Sequence, residues 1–219
     1  MRIGHASLIM LLVFILVSSE SRGQTADSNQ FQTFTKSDFY KRLVGSSLRA
    51  IPEIVFKQCP ALKSGNSNLL IIKPVSFGQS GYPNGGAWKQ TFPVSGCGND
   101  TILNLYFFAG ADEKVNTAIG IPGTTLADPI LQRDAVQYAN IGSSLAAKDC
   151  KVFLVKNTKF ESFGLSIPPT PDPGPSQRFR PWWETWTMVG CNRTFRTPMN
   201  FIPDAKGTRV VQPGGVIEQ

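Results

Sequence analysis

Histidine is almost missing from this chain. The one it has, His5, lies in an N-terminal segment where Arg2 and His5 precede an apolar run, Leu8 to Val17, followed by small polar residues. That pattern reads as a secretory signal peptide over residues 1–23, cut after Gly23 or, at Val17-Ser18-Ser19, after Ser19. The mature chain would then contain no imidazole. This excludes Ser-His-Asp and Cys-His nucleophile systems, His-ligated zinc, non-haem iron and His-ligated haem. A carboxylate pair, a Ser-Lys dyad or tyrosine chemistry remains open to it. None has a signature here: G-x-S-x-G, S-x-x-K, a Walker loop and a D-x-D-x-D-G calcium loop are all lacking. No cofactor and no metal site is expected.

Long apolar runs are equally scarce. Leu8 to Val17 would span about 15 Å as a helix, against a hydrocarbon core of about 30 Å, so cleavage rather than anchoring is expected. The expected location is outside the cytoplasm, secreted or periplasmic. Runs of like charge are lacking too, although 22 Lys+Arg against 15 Asp+Glu give a net charge of +7. Removing residues 1–23 takes away Arg2, Arg22 and Glu20 and leaves 196 residues at +6. A dispersed positive excess favours anionic partners: an acidic glycan, a membrane surface or another exported protein. Nucleic acid is the weaker reading, because there is no basic helix and no zinc-finger spacing.

The four cysteines, Cys59, Cys97, Cys150 and Cys191, form no C-x-x-C pair, so in an oxidising compartment they read as two disulfides rather than a metal site. Three connectivities are possible. An internal duplication favours Cys59 with Cys97 and Cys150 with Cys191. It rests on three local matches in the same order. Gly45-Ser46-Ser47-Leu48 parallels Gly142-Ser143-Ser144-Leu145. Leu70-Ile71-Ile72-Lys73 parallels Phe153-Leu154-Val155-Lys156. Trp88 through Phe92 and Cys97 to Phe107 parallels Trp182 through Trp186 and Cys191 to Phe201. The offsets, 97, 83 and 94, differ, so Cys59 and Cys150 are not strictly equivalent.

Each copy reads as a helix followed by strands. Ser37 can cap a helix with Phe39, Leu43 and Ser47 to Leu48 on its inner side. Asp128 followed by Pro129 starts another, in which Leu131, Ala135, Tyr138 and Leu145 recur at helical spacing. Strand composition marks 68–77, 87–95, 101–109, 151–156, 182–189 and 195–202. The expected fold is α+β: two similar helix-plus-antiparallel-strand units packed together, 35–122 and 123–211, each holding one disulfide. Residues 24–34 and 212–219 read as flexible ends, and the proline-rich stretch 168–175 as a stiff loop.

The segment Arg178-Phe179-Arg180-Pro181-Trp182-Trp183-Glu184-Thr185-Trp186 interleaves basic and aromatic residues. On a strand Trp182, Glu184, Trp186 and Met188 share one face, matched by Trp88, Gln90, Phe92 and Val94, and such paired apolar positions read as core. Trp183 falls on the other face. With Arg178 and Arg180 it is the candidate ligand-binding site, able to stack on sugars while arginine pairs with anions. The competing reading has Trp183 covering the sheet or the proline loop. Glu184, inside, should meet an arginine or backbone donors, or have its pKa raised. Asn99 and Asn192 fit the N-glycosylation pattern, which carries meaning only in a eukaryote. The expected function is therefore a non-catalytic exported protein that binds an anionic glycan or a protein. The alternatives are a carboxylate-dependent hydrolase of an envelope polysaccharide, resting on Glu184, and a purely structural or inhibitory role.

Overall fold

The computed structural model describes residues 23–51, 63–96, 100–164, 180–204 and 207–219. Cys59, Cys97, Asn99, Arg178 and the stretch 168–175 lie outside the described residues, and so does the proposed Cys59–Cys97 bond. Among the described residues the fold is α+β, with three helices and two antiparallel sheets.

Helices α1 (Gly23–Lys36) and α2 (Asp38–Arg49) precede the first sheet. Ser37 caps α2 as its position predicts, its hydroxyl accepting from the Tyr40 amide at 3.2 Å. The first sheet contains β1 (Lys63–Ser64), β2 (Asn68–Phe77), β3 (Pro83–Ser95), β4 (Thr101–Ala109) and β5 (Val115–Gly120). β2 to β5 form a meander, and β1 shares with β2 the same edge of β3. Its inner face lies under α1 and α2, where Trp88, Phe92, Leu105 and Phe107 meet Phe31, Phe34 and Tyr40. Trp88 stacks on Phe107, its cross-strand partner, with centroids 5.3 Å apart and planes 7° off parallel.

The region 24–34, expected to be flexible, is instead helical within α1, and Phe31 and Phe34 are buried. Three residues apart, the two rings share a helix face, and Phe31 meets Trp88 edge-on at 5.3 Å. Of the residues placed on the inner side of α2, Phe39 is 37 % exposed and Tyr40 is buried in its place.

The second sheet contains β6 (Leu154–Phe163), β7 (Trp182–Gly190), β8 (Arg193–Asp204), β9 (Gly207–Val211) and β10 (Ile217–Glu218), with β9 and β10 sharing one edge of β8. Helix α3 (Pro129–Ala146) packs on it. Asp128 caps α3, accepting from the amides of Ile130 and Leu131 at 2.9 Å. Trp182 stacks on Phe201 at 4.8 Å and 4°. The tail 212–219, also expected to be flexible, is tied down. Ile217 and Glu218 pair with Arg196 and Phe195, the Gln219 amide donates to Thr194 at 2.9 Å, and Gln212 packs against Gly142.

Cys150 and Cys191 are disulfide-bonded, Cα atoms 5.9 Å apart, joining the loop after α3 to the β7–β8 turn. Cys191 and Asn192 take φ of 51° and 59°, the pair of left-handed residues that a two-residue hairpin needs. For a 41-residue separation the chain-entropy gain is about 4 kcal/mol.

Residues 121–128 join the two sheets and touch both. The Gly123 amide donates to Ile102 in β4 at 2.7 Å, and Thr158 in β6 donates through its amide and its hydroxyl to Pro122, each at 2.8 Å. Gly123 has φ +111°, and a Cβ there would sit 2.0 Å from the Thr158 carbonyl oxygen. Gly123→Ala is expected to lower stability by about 3 kcal/mol or more, since both conformation and space forbid it. Gly81→Ala, at φ +80° with open space around it, should cost only about 1 kcal/mol. Urea denaturation of the two variants checks the contrast.

Candidate functional site

Along β7 burial alternates as the sequence implies. Trp182, Glu184, Trp186 and Met188 are buried, while Thr185 and Thr187 are half-buried and Trp183 is 39 % exposed. The outward side of the second sheet is a solvent-facing β-surface. Trp183 is braced from one side: a Cβ on Gly164 would lie 2.7 Å from its ring, and the Gly164 amide donates to Pro181 at 2.7 Å.

Register places the other members of this face. Trp183 is paired with Asn200, Thr185 with Pro198 and Thr187 with Arg196 in β8, and Lys159 of β6 is paired with Thr185. Arg196 is exposed and about 13 Å along β8 from the Trp183 position at roughly 3.3 Å per residue. Glu161 pairs with Lys159 at 2.9 Å. Its carboxyl is held below the usual range first by that bond and then by Thr185, with the charges of Lys159 and Arg196 adding to it. Arg180 is exposed two residues before β7. Of the sequence candidates, the structure therefore puts Trp183 on an open face with Arg180 close in sequence. Arg196 was missed, because its position beside the same face depends on the β7–β8 pairing and not on local sequence.

The inner face carries a second polar centre. Glu184, 1 % exposed, accepts four hydrogen bonds: from Thr125 Oγ1 at 3.0 Å, the Leu126 amide at 2.9 Å, Trp182 Nε1 at 2.8 Å and Trp186 Nε1 at 2.7 Å. Every partner is a donor, so both carboxylate oxygens act as acceptors. Of the partners expected, a backbone donor is present in the Leu126 amide and no arginine is among the four; a hydroxyl and two indoles complete the set. Nearby, Lys89 lies 5.3 Å from the Tyr106 ring centroid. Burial lowers the pKa of its ammonium, opposed by the charge of Glu184. Gln90 in the first sheet is the parallel case. It accepts from Tyr40 Oη at 2.9 Å, which in turn accepts from Trp88 Nε1 at 3.0 Å, while Gln90 Nε2 donates to Ser67 at 3.0 Å.

Two clefts open between the sheets. One, of about 420 Å³, is lined by Val94, Asp100, Thr101, Thr124 and Asn157, with Thr101 donating to Asn157 at 2.8 Å. The other, of about 400 Å³, is apolar and lined by Ile51, Leu103, Ile119, Val136 and Leu154. Neither contains Glu184. Among the described residues no cluster of three or more His, Cys, Asp or Glu could hold a metal, and no helix is long and apolar enough to cross a membrane. Asn192 is exposed at the β7–β8 turn. Comparison with family models, curated proteins and solved structures finds no match.

Glu184→Gln should destabilise the protein by about 2–3 kcal/mol, because an amide nitrogen would replace one acceptor among four donors; chemical denaturation reads the difference. Burial, the larger cause at both sites, pushes the phenols of Tyr40 and Tyr106 up to about 12. Their folded-state pKa lies above the unfolded 10.0. The stability they contribute is therefore complete below pH 10 and lost as pH rises toward 12. Tyrosinate absorbance followed with circular dichroism should show cooperative unfolding in that window, and Tyr40→Phe or Tyr106→Phe should flatten the pH dependence.

Proposed function

We propose that the protein is an exported, non-catalytic binding module and that the outward face of its second sheet takes an anionic glycan. The observation that carries this reading is Trp183, exposed and braced on an open sheet face with Arg196 about 13 Å further along. That spacing suits an extended chain of sugars, one ring stacking on the indole and acidic groups meeting the arginines. The positive net charge and the Cys150–Cys191 bond fit an acidic partner in an oxidising compartment. The hydrolase alternative loses its support, because the oxygens of Glu184 are engaged by four donors inside the core.

The reading of the two halves as copies belongs to the same proposal. Its support is the pair of stacked Trp–Phe contacts at a shared offset of 94, each followed two residues later by a buried Gln90 or Glu184. The match at offset 83 does not extend to the pairing. Lys73 is opposite Ala87, whereas its proposed counterpart Lys156 lies in β6 between the partners of Met188 and Thr187.

The test is binding to heparin and to alginate, measured by calorimetry at two salt concentrations. Trp183→Ala should weaken binding about tenfold, the size of a stacking or cation–π contact of ~1–2 kcal/mol, while the melting temperature moves by a few degrees at most. Equal binding by the variant, or no binding by the wild type, would remove the proposal.

A further inference from the structure

Helix α3 buries only part of the face its sequence pattern predicts: Leu131 and Ala135 meet the core, whereas Tyr138 and Leu145 do not. Its buried residues are Gln132, Ala135, Ala139, Gly142 and Ser143, nearly all small. Small side chains let the helix approach the sheet closely: the Ser143 and Thr197 hydroxyls lie 3.2 Å apart. Leu131 and Val136 pack partly against the core, but four other large residues are left outside. Ile130 is 69 % exposed, Tyr138 46 %, Ile141 59 % and Leu145 71 %. At 3.6 residues per turn these four fall within an arc of about 80°, roughly 130° round the helix from the buried residues. A surface helix with an apolar stripe on its solvent side is the reverse of the ordinary pattern.

We propose that this stripe is the interface of a homodimer, with α3 packing against α3 of a second copy. At roughly 200 Å² for a large side chain, the four residues expose about 490 Å². That is in the size range of the largest, commonly functional, patch on a monomer. A standard interface buries about 800 Å² per partner, and homodimer interfaces are about 65 % apolar, so the stripe supplies most of the apolar surface a stable dimer needs. Charge points the same way. The single charge inside the arc, Asp134, is paired with Arg133 at 3.4 Å, and a two-fold mate brings the same neutral pair. An anionic lipid surface would reject Asp134 and the capping Asp128 at the helix start, which makes a membrane the weaker occupant.

The test is light scattering and sedimentation of the full mature chain from 1 to 200 μM, beside Ile141→Glu, Leu145→Glu and the control Leu70→Lys on the exposed edge strand β2. The expected result is a wild-type and control dimer, and monomers for the two α3 variants with unchanged circular dichroism. If the α3 variants fold poorly, amide exchange of the wild type keeps the question decidable, since protection over 138–145 should rise with concentration. A wild type monomeric at 200 μM, a dimer that survives both α3 substitutions, or one lost only in Leu70→Lys would overturn the proposal. So would a monomer that floats with phosphatidylglycerol vesicles.

Discussion

The backbone from Ile121 to Asp128 belongs to neither sheet, yet part of it is buried between them, and buried amides and carbonyls need partners. The partners are side chains reaching in from both sides. Asn104 of β4 donates to the Ile121 and Gly123 carbonyls at 2.7 and 3.1 Å. Gln132 of α3 accepts from the Ile121 amide at 2.8 Å and donates to the Ala127 carbonyl at 2.7 Å. Thr158 and Glu184 hold the side facing the second sheet. The connection thus acts as a shared wall, tied by hydrogen bonds to the elements on either side.

This wall explains an asymmetry between the sheets. The first is covered on both faces: Trp88 and Phe107 are buried on one, Asn104 and Tyr106 on the other. Among the described residues the inner face of the second is covered by α3, the wall and the segments around Cys150 and Val216, and its other face is half-buried to exposed. An exposed face is therefore present on the second sheet, where Trp183 lies, while Lys89 on β3 of the first sheet is half-buried.

What could be read from sequence was what local chemistry decides. The caps Ser37 and Asp128 and the two-residue alternation of β7 depend on neighbours in the chain, and they appear where expected. Helix α1 was hidden because its polar composition masks Phe31 and Phe34, whose three-residue spacing was the available signal. β5 and β9 are short and were passed over, and β6 runs on to Phe163 through polar residues. The face of α3 was read correctly at Leu131 and Ala135 and misjudged at Tyr138 and Leu145, for a physical reason. Hydrophobic periodicity ranks residues by size, but this contact selects for closeness, which favours Ala139 and Gly142 over Tyr138 and Leu145. Glu184 was legible as buried; its partners Thr125 and Leu126, almost sixty residues away, were not.

The two buried polar centres have a consequence for how the sequence can drift. Gln90 has an acceptor and a donor to serve, Tyr40 giving a proton and Ser67 taking one, whereas Glu184 has four donors and nothing to give. Each residue is fitted to a different hydrogen inventory, although both sit two positions after a stacked tryptophan. Exchange at either site leaves a surplus of protons or of lone pairs in the core. Viable change there has to come in pairs, position 90 with 40 or 67, and position 184 with 125, 182 or 186. In any set of related chains those positions would vary together or hold still.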